Sequence, residues 1–208
     1  MILNLPNKLT LSRIALAAIF VVAMTYGNLF ANITALAIFI VASLTDALDG
    51  YIARKRNIIT TFGIFLDPLA DKLLISAALI SFVGLGNLNI PAWMVIIIIS
   101  REFVITGLRS IAADKNVIIP ANNFGKFKTT SQIVAIIGIL LILVLKSYYG
   151  EILNITPQDM LNTDMRVLGL FMLRFPFWSM LVVTALTLYS GITYVWANKE
   201  IFKHDENK

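Results

Sequence analysis

The sequence predicts an all-α, polytopic membrane protein with six transmembrane helices. Three observations predict it. The 208 residues are 58% hydrophobic and only 14% charged, with a mean hydropathy of +0.82, whereas soluble domains average roughly 45–50% apolar and about 25% charged. The apolar residues fall into six runs, each near the roughly 20 residues that a membrane span needs. Lys and Arg gather in alternate connections between those runs, as the positive-inside bias requires. A soluble core of this size would leave large apolar patches exposed, and disorder needs low hydrophobicity. The absence of cysteine excludes a disulfide scaffold and thiolate metal sites but is silent on compartment.

The first run extends from about Leu9 to Tyr26 and the second from Ile33 to about Tyr51. The third covers Ile64 to Val83, with Asp67 and Asp71 in its first turns. The fourth runs from Pro91 to about Ile111 and contains Arg101 and Glu102. The fifth goes from about Phe124 to Leu145, and the sixth from about Phe177 to Trp196. The mixed-polarity stretch from Lys146 to Arg174 reads as a loop with room for a short interfacial helix. No internal repeat or low-complexity segment breaks residues 1–208, so a single domain is expected.

An even number of spans puts both termini on one side, together with Lys8, Arg13, Arg54, Lys55, Arg56, Arg109, Lys115, Lys126, Lys128, Lys199, Lys203 and Lys208. The other side holds the chargeless turn Gly84–Ile90 and a charge-balanced loop. The expectation is a multi-pass protein of the cell inner membrane with both termini cytoplasmic. The basic, apolar N-terminus also resembles a signal peptide, but Met24-Thr25-Tyr26 is a poor cleavage site. The net charge of +5 suits the anionic inner leaflet, so nucleic-acid binding is not implied. Trp93, Trp178 and Trp196 sit near span ends, where an aromatic belt places them. Richness in Ile, Asn and Lys suggests a bacterial source.

Charged side chains inside apolar spans are costly and usually line an interior or a wet cavity. Here they cluster, in Asp46-Ala47-Leu48-Asp49-Gly50-Tyr51-Ile52-Ala53-Arg54 and, eight residues later, in Gly63-Ile64-Phe65-Leu66-Asp67-Pro68-Leu69-Ala70-Asp71. Residues three or four apart share a helix face, so Asp46 stacks with Asp49 at the cytoplasmic end of the second span. Asp67 stacks with Asp71 at the start of the third. The short intervening turn predicts antiparallel neighbouring helices and convergent pairs. Four such carboxylates cannot all stay ionised without cations among them. A donor set of oxygens alone suits Mg²⁺ or Mn²⁺, with Ca²⁺ also admissible. Gly50 and Ala53 would admit a close ligand or backbone, and Arg54 is placed to meet a phosphate. The plainer alternative, interhelical salt bridges or solvated helix ends, explains one such Asp better than four.

The pattern D-x-x-D-G-x-x-A-R, eight residues, G-x-x-x-D-x-x-x-D is similar to the signature of the CDP-alcohol phosphotransferases. All eight signature positions are present: Asp46, Asp49, Gly50, Ala53, Arg54, Gly63, Asp67 and Asp71. The resemblance implies an integral membrane enzyme of phospholipid synthesis that uses a CDP-linked donor. It implies Asp46, Asp49, Asp67 and Asp71 as ligands of two Mg²⁺ or Mn²⁺ ions, with Asp71 as general base. Asp46, Asp49, Gly50, Ala53, Arg54 and Gly63 would border the CDP group. Family members are typically homodimers, although no clean small-xxx-small interface is present here.

Ser100-Arg101-Glu102, the segment Gly125-Lys126-Phe127-Lys128-Thr129-Thr130 with Gln132, and Pro6-Asn7-Lys8-Leu9-Thr10-Leu11-Ser12-Arg13 resemble the branch that forms phosphatidylglycerophosphate. The implied substrates are CDP-diacylglycerol and sn-glycerol 3-phosphate. Arg101 and Arg109, eight residues apart, fall near one helix face. With Lys126 and Lys128 they exceed what the carboxylates need as partners, and an acceptor phosphate accounts for them; Thr10 and Arg13 can join that pocket. Against this, Lys126 and Lys128 also read as positive-inside anchors, and Glu102 as a partner for Arg101. Branches using inositol phosphate, serine or phosphatidylglycerol share the core signature. An ion-coupled transporter predicts charges at the bilayer midplane and an inverted repeat, and a silent scaffold has no need of the eight signature residues. His204 reads as a solvated tail residue.

Overall fold

Six long helices, α1 (Leu5–Tyr26), α2 (Leu29–Arg56), α3 (Thr61–Gly84), α4 (Ala92–Asp114), α5 (Asn123–Ile152) and α6 (Arg166–Ala197), make up the protein. The structure is a computed structural model that describes the backbone of residues 5–56, 61–114 and 123–198, and the side chains of 11–45, 72–112 and 127–198. No strand occurs among the described residues. Two helical stretches, Phe127–Ile152 and Arg166–Ala197, are long and apolar enough to cross a membrane. Leu11–Tyr26, Leu29–Thr45 and Lys72–Gly84 are shorter apolar stretches.

Short connections reverse the chain between successive helices. Gly27 at φ +66° lets α1 end in the left-handed region that glycine enters without steric cost. Asn28 then caps α2, its Oδ1 accepting from the Ala31 N–H at 2.8 Å, as Asn commonly does at a helix start. A short 3₁₀ turn, Gly86–Leu88, and Asn89 at φ 53° join α3 to α4.

These turns lie at one end of the bundle, beside the C-terminal end of α5. Lys146 Nζ donates to the Asn87 carbonyl at 3.0 Å, and Asn32 Nδ2 to Ser147 Oγ at 2.7 Å. The Leu29 N–H donates to Glu151 Oε1 at 2.7 Å. The carboxylate thus satisfies a backbone donor that the first turn of a helix leaves open. A cavity of about 530 Å³ is lined here by Asn32, Asn87, Lys146, Ser147 and Glu151 among others.

The core is built around α1, against which both α2 and α3 pack. Phe20 on α1 meets Phe39 on α2 with ring centroids 6.1 Å apart. Ala17, Ala23, Ala35, Ala42 and Ala78 are buried beside Leu79 and Phe82, and these small residues let the helices approach closely. On the outside, large apolar side chains such as Phe30, Val167, Tyr26 and Trp196 are exposed.

The segment from Lys146 to Arg174 departs from the expected loop. α5 continues to Ile152, and α6 starts at Arg166 and runs through Pro176. Only residues 153–165 lie between them, with a 3₁₀ turn at Asp159–Asn162. The Thr156 hydroxyl and N–H both donate to Asp159 Oδ2, at 2.7 and 2.9 Å, where that turn begins. These bonds hold the Asp159 carboxyl below its ordinary range. The sequence reading ended the helices at their charges, but helix formation tolerates surface charge. Pro176 costs a backbone bond and crowds the preceding turn, yet α6 continues through it with packing on either side. Phe175 lies against Gly138 of α5, and Met172 packs with Met160 and Ile142.

Gly169 makes the contact with the least room to give. A Cβ there would sit 2.8 Å from the Pro157 carbonyl oxygen and 2.9 Å from Met160 Cβ, neither the free end of a flexible chain. Gly169→Val is expected to lift residues 156–161 from α6 and destabilise the protein by about 1–3 kcal/mol. Thermal unfolding in detergent measures this, and an unchanged midpoint would show that the segment yields without cost.

Candidate active site at one end of the bundle

The two halves of the acidic motif lie in continuous helix. Asp46, Asp49, Gly50, Ala53 and Arg54 belong to the last turns of α2, and Gly63, Asp67 and Asp71 to the first turns of α3. Spacings of three and four therefore put Asp46 with Asp49, and Asp67 with Asp71, on single helix faces. Arg56 and Thr61 are five residues apart in the chain and thus within about 18 Å of each other. The side chains of these residues, and of Thr10 and Lys126, lie outside the described residues. Register and the alternation of helix direction nevertheless bring all of them to the end of the bundle opposite Asn87 and Glu151.

α2 and α3 were expected as antiparallel neighbours whose acidic pairs converge. Among the described residues each packs on α1, and the turns where they were expected to converge have their side chains outside those residues. Arg13 on α1 is 7% exposed.

The basic residues divide into two groups. Arg101 and Arg109 on α4 both turn toward α6, as their eight-residue spacing predicts. Arg101 Nη2 donates to Ser190 Oγ at 2.9 Å. Gly191 beside it leaves the room this requires, since a Cβ there would come within 3.0 Å of Arg101 Cγ. Arg101 Nε is buried and finds no hydrogen-bond partner among the described residues. Arg109 Nε donates to Tyr194 Oη at 3.4 Å, and its guanidinium lies 5.5 Å from the centre of that ring, within cation–π range. Arg101 also floors an apolar groove of about 760 Å³ between α4 and α6, walled by Ile97, Val104, Leu188, Ile192 and Trp196.

Lys128 on α5 faces the other way. It is 2% exposed and forms an ion pair with Glu102 on α4. Lys72 on α3 reaches the same carboxylate at 3.9 Å, donates to the Glu102 carbonyl at 3.3 Å, and bonds the Thr106 hydroxyl. Glu102 thus partners these lysines and not Arg101, because consecutive helical residues point about 100° apart. A buried, paired ammonium is also not a solvated anchor, so that reading of Lys128 fails. Lys72 was overlooked in the sequence; it is itself a charge inside an apolar run, which was the signal available.

Among the described residues, no group of three or more His, Asp or Glu side chains comes together to hold a metal. The acidic motif remains the candidate. Its donors are carboxylate oxygens alone, a chemistry that suits a hard divalent cation.

Comparisons with known proteins agree with the motif. The sequence profile of the family described as CDP-alcohol phosphatidyltransferase matches residues 3–189. A Bacillus subtilis (strain 168) protein named CDP-diacylglycerol--glycerol-3-phosphate 3-phosphatidyltransferase is 51% identical over 150 residues, covering 66% of this chain and 77% of the other. A protein of the same name from Rickettsia bellii (strain RML369-C) is 34% identical over 200 residues, covering 96% of this chain and 97% of its own. A match spanning both halves of the acidic motif and all six helices means that the chain belongs to the CDP-alcohol phosphatidyltransferase family.

Proposed function

We infer that the protein transfers a phosphatidyl group from CDP-diacylglycerol to sn-glycerol 3-phosphate, giving phosphatidylglycerophosphate and CMP. The observation that carries this reading is similarity over nearly the whole chain to a relative named for that reaction, together with all eight signature residues.

Asp46, Asp49, Gly50, Ala53, Arg54 and Gly63 border the nucleotide. Asp46, Asp49, Asp67 and Asp71 hold Mg²⁺ or Mn²⁺, in a set with room for two ions. When bound, such ions neutralise charge on the pyrophosphate oxygens. The acceptor phosphate is taken by Lys126 and Lys128, with Thr10 and Arg13 at the edge of the pocket. Arg101 and Arg109, expected in the same pocket, turn to the α6 side of α4 and form a separate basic face there, in which the bond to Ser190 orients the Arg101 guanidinium. Asp71 accepts the proton of the acceptor hydroxyl. The oxygen then attacks the phosphorus bearing diacylglycerol, and the bond to CMP breaks as the new one forms, the leaving oxygen keeping the electron pair. Positioning and charge neutralisation supply most of the acceleration in such transfers.

The reading places the chain in the bacterial inner membrane as a six-span homodimer with both termini cytoplasmic. Two helices of spanning length, large apolar side chains on the outer faces, and the acidic motif and Lys128 at one end of the bundle support it. In that setting the acyl chains stay in lipid while nucleotide and acceptor reach water.

The test is CMP release by purified protein in detergent with CDP-diacylglycerol, Mg²⁺ and one acceptor at a time. Glycerol 3-phosphate is expected to be preferred at least about a hundredfold over serine, inositol phosphate or phosphatidylglycerol, since a site built for one acceptor leaves polar groups unpaired with another. No CMP release with glycerol 3-phosphate overturns the assignment.

A further inference from the structure

Glu102 takes part in none of the steps above, yet its carboxylate is shared by two lysines from two other helices. Its bond to Lys128 crosses from α4 to α5, helices with little backbone contact of their own among the described residues. Lys72 joins α3 to α4 at two levels one turn apart, at Glu102 and at Thr106, whose hydroxyl also donates to the Glu102 carbonyl at 2.8 Å. Burying an ammonium such as that of Lys128 is costly unless it is paired, and the ion pair with Glu102 gives it a fixed partner across the two helices. Lys72 follows Asp71 directly, and neighbouring residues on a helix are separated by a fixed rotation of about 100°. Tethering Lys72 to α4 therefore fixes the rotation of the turn of α3 that carries Asp71. Gln132, one turn beyond Lys128, is buried and lines the small cavity of about 40 Å³ that Lys72 and Glu102 also line.

We propose that Glu102 is a positioning residue: it fixes the Lys128 ammonium and, through Lys72, the turn of α3 that carries Asp71, so that acceptor and base are aligned. The proposal rests on the reading of the chain as a phosphatidyltransferase. The residues proposed to border the nucleotide belong to the last turns of α2 and to Gly63, and none is on the turn of α3 that carries Lys72.

Steady-state kinetics of purified Glu102→Gln in detergent, with CDP-diacylglycerol, glycerol 3-phosphate and Mg²⁺, test it. Glutamine keeps size and an acceptor oxygen but not the charge. The expected result is a kcat lower by about 10–100-fold, the range for residues that orient a functional group. The KM for glycerol 3-phosphate rises, and the KM for CDP-diacylglycerol stays within about twofold of wild type on the same scale of effects. Glu102→Asp, which keeps the charge, recovers most of the loss. A Glu102→Gln enzyme with wild-type constants overturns the proposal. So does a loss that reflects only fewer active molecules, counted by donor-binding stoichiometry, with both KM values unchanged and no rescue by aspartate. Wild-type protein that releases no CMP overturns the functional reading and this proposal with it, whereas active wild type with an unaffected variant overturns the proposal alone.

Discussion

Asp71→Asn is expected to lower turnover by about 10²–10⁴-fold, the contribution of a positioned general base, while CDP-diacylglycerol still binds. Asparagine matches aspartate in shape and keeps one acceptor oxygen, so the helix and neighbouring contacts survive. What it loses is the ability to take a proton. Asp71 is the last acid of the motif, one turn into the helix beyond Asp67, and Lys72 beside it is tied to α4. That places it on the turn of α3 that the tie to α4 holds. Single-turnover CMP release and equilibrium binding of the donor, measured on the same preparation, separate the two roles. Equal loss of binding and turnover would make Asp71 chiefly a metal ligand.

Removal of divalent cations is expected to reduce CMP release by at least about a hundredfold, with recovery on adding Mg²⁺ or Mn²⁺. Lewis-acid neutralisation is worth several kcal/mol, and each 1.36 kcal/mol is about tenfold in rate. The acids themselves give the reason for so steep a dependence. With no cation among them, two closely spaced carboxylate pairs repel one another, and some must take up protons to coexist. Protonated acids neither bind a pyrophosphate through metal nor accept a proton from the acceptor. Full activity after exhaustive chelation would contradict the assignment of Asp46, Asp49, Asp67 and Asp71.

Hydropathy located all six helices because burial in one face or in lipid requires apolar residues in runs, and runs are visible in one dimension. It misplaced the start of α6 by about three turns, as a charge at Arg174 and a proline at 176 look like an ending. What carries the helix past them is packing on α5 and on Met160, which lies far from α6 only when the chain is read linearly. The acidic motif was legible because its spacing is local to two helices. The partners of the basic residues were not. Arg101 and Glu102 are adjacent in sequence and face different helices, a distinction that depends on where α3, α5 and α6 stand around α4. Ser190, Gly191 and Tyr194 gave no sign of their service to Arg101 and Arg109, since polar and small residues are common along apolar helices for many reasons.

α1 packs against both helices that carry the acidic motif, and this gives it a part in the site without a residue in the chemistry. Phe20 on its buried face meets Phe39 of α2, and Ala17 and Phe20 share one apolar core with Leu74 and Ala78 of α3. A helix that contributes no acid is thus the common footing of the two that do, and a change in its buried face is felt by both.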